Sequence, residues 1–161
     1  MNLGNIAGEI CKVLFPINEE VFFGKPDSSI VVCTLSSMQL LKEIGNSNLM
    51  SKIAVVGRLL SENKGIDSLV KYVISNKNIK TILICGKDTS GHRPAHSLLN
   101  LYKNGVDNYG RIIGSSSPDP VLTLTQSQVD KFQGQVKIAN KIGETNMSEI
   151  NLLVDSILKT Q

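Results

Sequence analysis

An α/β fold with a mostly parallel central sheet flanked by helices is the architecture that this 161-residue sequence predicts. Three observations lead there. Short β-branched runs alternate with helical patterns along most of the chain, as βαβ units require. The run from Thr81 to Cys85 reads as one continuous strand, and unbroken runs of this kind suit a strand covered by helices on both faces. Two five-point stripes, Ile66, Leu69, Val70, Val73, Ile74 and Ile150, Leu153, Val154, Ile157, Leu158, fall at i, i+3, i+4, i+7 and i+8, the inward faces of amphipathic helices.

Each element has a local reason. Ile6, Ile10, Val13 and Leu14 form a first helical stripe that Pro16 stops. Val21 to Phe23 is a short edge-like strand, and Gly24, Lys25, Pro26 and Asp27 turn the chain into a buried strand over Ile30 to Thr34. Ser36 or Ser37 is placed to cap a helix that turns Met38 and Leu41 inward. Ile53 to Val56 is the next strand and ends in Gly57. After Thr81 to Cys85, a helix is expected from Pro94 to Lys103, because proline suits the first helical position and Gly105 supplies a left-handed stop. Ile112 and Ile113 suggest another short strand before Gly114. A helix over Val129 to Gln135 and an extended piece over Val136 to Ile142 precede the final helix.

Length and composition describe one domain over residues 1–161, large enough to hold a hydrophobic core without disulfides or metal. The hydrophobic share of 41% and charged share of 19% are ordinary for a globular chain, and no apolar run reaches the roughly 20 residues of a membrane-spanning helix. The opening MNLGNIAGEICKVLF lacks a basic segment followed by a long apolar block, so a cytoplasmic protein is expected. Cys11, Cys33 and Cys85 are widely spaced without a C-x-x-C pair and read as buried, reduced thiols. The net charge of +3 is scattered and aromatic residues make up only 4%, so neither a basic stripe nor a stacking platform for nucleic acid is present.

Three strands are expected to end in glycine-bearing loops at one edge: Gly57 with Arg58, Leu59 and Leu60; Gly86 to Gly91, with Thr89 and Ser90; and Gly114 to Pro118, with Ser115, Ser116 and Ser117. Such an edge forms the ligand crevice of parallel α/β sheets. GKDTSGH does not follow the phosphate-loop order, and no G-x-G-x-x-G follows a strand, which argues against a nucleotide fold of either common kind. There is no G-x-S-x-G elbow and no H-E-x-x-H helix. Of the two histidines, His92 lies in a loop just before a helix and is free to face the crevice. His96 falls in the first helical turn, where it reads as solvent-facing or bonded to backbone. An imidazole in the position of His92 can act as base, donor or metal ligand.

The segments TILICGKDTSGH, NLYKNGVDNYGRIIGS and AVVGRLLSENKGIDSLVKYVISNKNIK, with KPDSSIVVCTLSS before them and VDKFQGQVKIANKI after, resemble the corrinoid-carrying A subunit of the tetrahydromethanopterin S-methyltransferase family of methanogenic archaea. The resemblance runs from about Pro16 to Ile142. It implies a Rossmann-like three-layer sandwich that binds cobalamin or a related cobamide. In the family the bound cobalt carries a methyl group from methyl-tetrahydromethanopterin to coenzyme M. The histidine of the family's CG-x-x-x-x-GH segment is the lower axial cobalt ligand, and it matches His92. Gly57, Arg58, Leu59, Gly86, Thr89, Ser90, Gly91, Gly114, Ser115, Ser116, Ser117 and Pro118 are then the expected cofactor-binding residues, with Arg93, Leu60 and Leu122 beside them. The implied partners are methyl-donor and methyl-acceptor proteins or other methyltransferase subunits, and the chain is expected to be a methyltransferase component that is not catalytic alone.

The sequence departs from the family pattern at GHRPAHS, where G-H-x-x-G-Q-S is expected, and at GRLLS, where G-P-C-K-T is expected. The cobalamin motif D-x-H-x-x-G of other methyltransferases is absent. The carboxyl-terminal extension and membrane anchor of the family are also missing, so a free-standing form is expected. Two other readings stay open: a noncatalytic corrinoid storage or interaction module of the same fold, and a small-molecule enzyme using His92 as general base with Asp88 or Asp119.

Overall fold

The computed structural model of the chain describes residues 21–161. The stripe of Ile6, Ile10, Val13 and Leu14, and Cys11 within it, lie outside the described residues. Five strands form one sheet: β1 (Phe22–Phe23), β2 (Ile30–Cys33), β3 (Val55–Gly57), β4 (Thr81–Ile84) and β5 (Lys137–Asn140). Their order is β1-β3-β2-β4-β5, parallel except for β1, which pairs antiparallel with β3 at the edge. The helices are α1 (Met38–Gly45), α2 (Lys64–Ser75), α3 (Pro94–Asn104), α4 (Gln126–Gln135) and α5 (Met147–Lys159). A short 3-10 turn, Asn48–Ser51, precedes β3.

Alternation along the strands divides the core in two. Ile30, Val32, Val56 and Leu83 face α1 and α5, packing with Leu41, Ile44, Ile150 and Val154. Val31, Cys33, Ile82 and Ile84 face α2, α3 and α4, packing with Ile66, Leu69, Val73, Leu98, Leu101, Val129 and Phe132. Both faces of β2 and β4 are therefore buried, which is why their sequences are apolar without alternation. The result is a three-layer α/β/α sandwich, the expected class. Among the described residues no helix is long and apolar enough to cross a membrane.

Local chemistry sets the helix ends. Thr125 and Gln128 form a reciprocal capping box at α4, a signal that extends this helix one turn before the expected Val129. Pro94 opens α3, and Gly105 (φ 73°) closes it. Arg93 precedes the proline, which disfavours the right-handed helical region, and it takes the left-handed φ 47°, ψ 52°, uncommon for a residue with a side chain. Cys33 and Cys85 are free and buried, and burial pushes both thiols up to about 12.

One expected strand is not in the sheet. Ile112 and Ile113 belong to an excursion between α3 and α4, where isolated antiparallel bridges join Val106 to Ile112 and Arg111 to Val121. The cause is local: Asp107 Oδ1 accepts the N–H groups of Tyr109 and Arg111, and Gly110 takes φ 79°, turning the chain back on itself. The sheet position on the far side of β4 is filled instead by β5, within the extended piece expected over residues 136–142.

Candidate functional site

The chain leaves β2 toward one face and β4 toward the other, so the topological switch lies between these neighbouring strands, where a crevice is expected. That crevice is closed. The Ser36 N–H and Oγ both donate to Lys87 O (2.9 and 2.6 Å), and the Lys87 N–H donates to Ser37 Oγ (2.9 Å). Ser37 is the residue before α1, yet its hydroxyl serves this seam and makes no capping bond. Gly86 is buried with φ 75°, and a Cβ there would collide with the Thr34 carbonyl oxygen. Gly57 is likewise buried as the last residue of β3, with its carbonyl accepting from the Thr34 N–H (2.9 Å). These two glycines tighten the sheet edge and present no surface.

The open site lies to one side, where the loop before α3 meets the loop before α2. His92 Nδ1 donates to Glu62 Oε2 at 2.9 Å, with the histidine side chain 62% exposed and the glutamate 1% exposed. A carboxylate only accepts, so the ring hydrogen is on Nδ1 and Nε2 makes no bond among the described residues. The second Glu62 oxygen, Oε1, accepts the Asp119 N–H at 3.0 Å. Asp119 is in turn held by Asn63, whose Nδ2 donates to its carbonyl and carboxylate (3.2 and 3.1 Å). The buried carboxylate is paired at both oxygens, as a buried charge requires, and it leaves one imidazole nitrogen facing outward from a fixed ring.

The serine loop braces this arrangement from the other side of α3's first turn. Ser97, fully buried, places its Oγ 2.7 Å from both Ser115 Oγ and Ser117 Oγ. Arg93 Nη1 donates to Ser116 Oγ (2.9 Å), and His96 Nε2 accepts the Ser116 N–H (3.2 Å). This latch sets the path of residues 115–119 and so the position of the Asp119 N–H on Glu62.

Several expected cofactor contacts are placed differently from what their sequence positions suggest. Ser115 and Ser117 are turned inward, and Ser116 is engaged by Arg93 and His96, so these hydroxyls serve the fold of their own loop. Leu59 is a core residue at 1% exposure and Leu122 is buried, so neither offers an apolar surface. Arg58 Nη1 reaches Ser36 O (3.4 Å). Ser90, Gly91, Gly114 and Pro118 are exposed. Thr89 has a buried Oγ1 with no hydrogen-bond partner.

Glu62, Ser97 and the role of His96 are not among the residues that the sequence singles out. Glu62 lies in the turn before α2 begins at Lys64, so no helical period marks it. The other two depend on a loop that returns from twenty residues away. No group of three or more His, Cys, Asp and Glu able to hold a metal ion by themselves occurs among the described residues, so a metal at His92 would need ligands from elsewhere.

The family model for the A subunit of tetrahydromethanopterin S-methyltransferase matches residues 12–161. The chain belongs to this family. It is 38% identical over 141 residues to the A subunit of the methyltransferase Mtx of Methanosarcina acetivorans, covering 87% of this chain and 68% of that one. It is 34% identical over 137 residues to the tetrahydromethanopterin S-methyltransferase A subunit of Methanosphaera stadtmanae, covering 84% of this chain and 53% of that one. The first of the numbered A subunits of Methanothermobacter marburgensis is 29% identical over 145 residues, with 89% and 59% covered. The matched region thus spans between about half and two thirds of these family members, all from methanogenic archaea, and each is named as one subunit of a larger enzyme.

Proposed function

We propose that this protein is a cobamide-binding methyl carrier in which His92 Nε2 is the lower axial ligand of cobalt. The observation that carries the reading is the Glu62–His92 pair. Metal-bound histidines commonly donate their second ring nitrogen to a carboxylate, which fixes the tautomer and raises the basicity of the ligating nitrogen. Here Nδ1 holds its hydrogen on Glu62, and Nε2 stands exposed on a braced loop. The residues present therefore fit an imidazole-ligated metal whose remaining ligands come from a macrocycle.

A bound cobamide would supply the metal centre that accepts and releases the methyl group. The chain's own part is to orient and tune. Glu62 keeps the proton on Nδ1, so Nε2 offers a lone pair. Asp119 and Asn63 keep Glu62 from swinging away, and Gly91, the exposed residue before His92, adds no side chain beside the imidazole. The methyl donor and acceptor are proposed to arrive on partner proteins or other methyltransferase subunits.

The test is reconstitution of purified apoprotein with cobalamin followed by gel filtration and visible absorption spectroscopy. Wild type should retain the coloured cofactor, and His92→Ala should change the spectra of the cobalt(II) and methyl-cobalt(III) forms. Unchanged spectra would refute the ligand role. A storage module of the same fold is favoured by the burial of Leu59 in the divergent GRLLS segment, which withdraws one expected contact. Stable colour without methyl transfer to a thiol acceptor, in the presence of its partner subunits, would select that reading.

A further inference from the structure

A second concavity of about 410 Å³ lies on the opposite flank of the same loop, lined by Asp88, Thr89, Ser90, Arg93, His96 and Leu99, with Ile142 completing the wall. His92 is not among its lining residues, since its ring is turned to Glu62.

The polar groups of this hollow are mostly donors without acceptors. Thr89 Oγ1 is buried and unpartnered. His96 Nε2 accepts from the Ser116 N–H, so in the neutral ring the hydrogen lies on Nδ1. Asn100 Nδ2 lies 3.4 Å from both ring nitrogens and is itself a donor already directed at His96 O (2.8 Å), so it offers Nδ1–H no acceptor. Arg93 uses Nη1 on Ser116 Oγ (2.9 Å) and has further N–H groups to give. Ser90 adds an exposed hydroxyl. Residues carrying a guanidinium, an imidazole and two hydroxyls line this one hollow, a set of donors that matches an oxyanion with several acceptor oxygens.

Asp88 sharpens the choice. Its Oδ1 accepts the N–H groups of Thr89 (3.0 Å) and Ala95 (3.3 Å), and its other oxygen makes no bond among the described residues. A free carboxylate oxygen repels a fully deprotonated anion such as sulfate but accepts a hydrogen bond from the P–OH of hydrogen phosphate. We propose that this hollow is a phosphate site, taking inorganic phosphate or the phosphate group of a small monoester and rejecting sulfate. The hollow is larger than a phosphate group, and Leu99 and Ile142 offer the organic part of a monoester an apolar wall.

Titration calorimetry on corrinoid-free protein tests this, with inorganic phosphate, glycerol 3-phosphate and sulfate as the three ligands. Saturable phosphate binding is expected, about tenfold or more tighter than sulfate, as one charge-assisted hydrogen bond gained or opposed would give. Arg93→Asn, which keeps a residue tolerant of the left-handed backbone, should weaken phosphate about tenfold. Thr89→Val should weaken phosphate several-fold yet raise the thermal midpoint without ligand, because it removes an unpaired buried hydroxyl. Asp88→Asn retains the Oδ1 acceptor and should erase the preference over sulfate. Tighter binding of glycerol 3-phosphate than of phosphate assigns the site to a monoester, and equal or weaker binding assigns it to the free ion. Absence of saturable phosphate binding at millimolar concentrations, or binding that Arg93→Asn and Thr89→Val leave intact, overturns the proposal. None of these outcomes depends on whether His92 ligates cobalt.

Discussion

The ends of β2 and β4 and the flank beside β3 are neighbouring parts of one sheet edge, yet they are built for opposite ends. At the switch point, backbone and serine groups of residues 34–37 satisfy those of residues 86–87, and Gly86 lets the two loops touch. On the flank, a buried carboxylate holds an exposed imidazole whose second nitrogen is left without a partner among the described residues. Topology alone points to the first place. The hydrogen-bond accounting points to the second, because a ligand is bound by groups that the fold leaves unsatisfied.

Four perturbations separate these two regions, and the largest effect is expected at the seam. Gly86→Ala would force a Cβ into the Thr34 carbonyl at a positive φ and should destabilise the protein by about 3 kcal/mol, measured by urea unfolding. A loss below half of that would mean that the seam yields easily. Glu62→Ala leaves the Asp119 N–H and His92 Nδ1 without their acceptor and is expected to cost roughly 2 kcal/mol. Glu62→Gln keeps an acceptor oxygen and should recover much of that stability while still altering the spectra of the reconstituted cofactor. Equal behaviour of the two variants in both assays would remove the carboxylate's tuning role.

Ser97→Ala reaches the flank indirectly. It deletes the hydroxyl that joins Ser115 and Ser117 and should cost about 1 kcal/mol. Amide exchange at Asp119 should quicken with it, whereas exchange at Gly86 should not. The smallest effect at neutral pH concerns the thiols at the seam. Cys33 and Cys85 keep their protons in the folded state up to about 12, against an ordinary value of 9.0 once unfolded. Their contribution is therefore complete below pH 9 and is lost as pH rises from 9 toward 12. Wild type should lose stability over that window more steeply than Cys33→Ala/Cys85→Ala, and neither thiol should react with iodoacetamide in native protein at pH below 9.

The α/β class, the parallel central strands and the stripes of α2 and α5 were legible from periodicity, because burial of one helix face or both strand faces leaves a pattern in consecutive residues. Leu158, expected on the inward face of α5, is instead exposed in the last turn. Pro94 and Gly105 announced α3 for equally local reasons. His92 stood out by its loop position and by family resemblance. Tertiary structure alone decided that His92 is paired with Glu62, thirty residues earlier, that the serines of residues 115–117 turn inward to Ser97, and that Ile112 and Ile113 lie outside the sheet. Those outcomes depend on which loops meet at the sheet edge and on which donors find acceptors there. Such matches are made between segments far apart in the chain, where no sequence period records them.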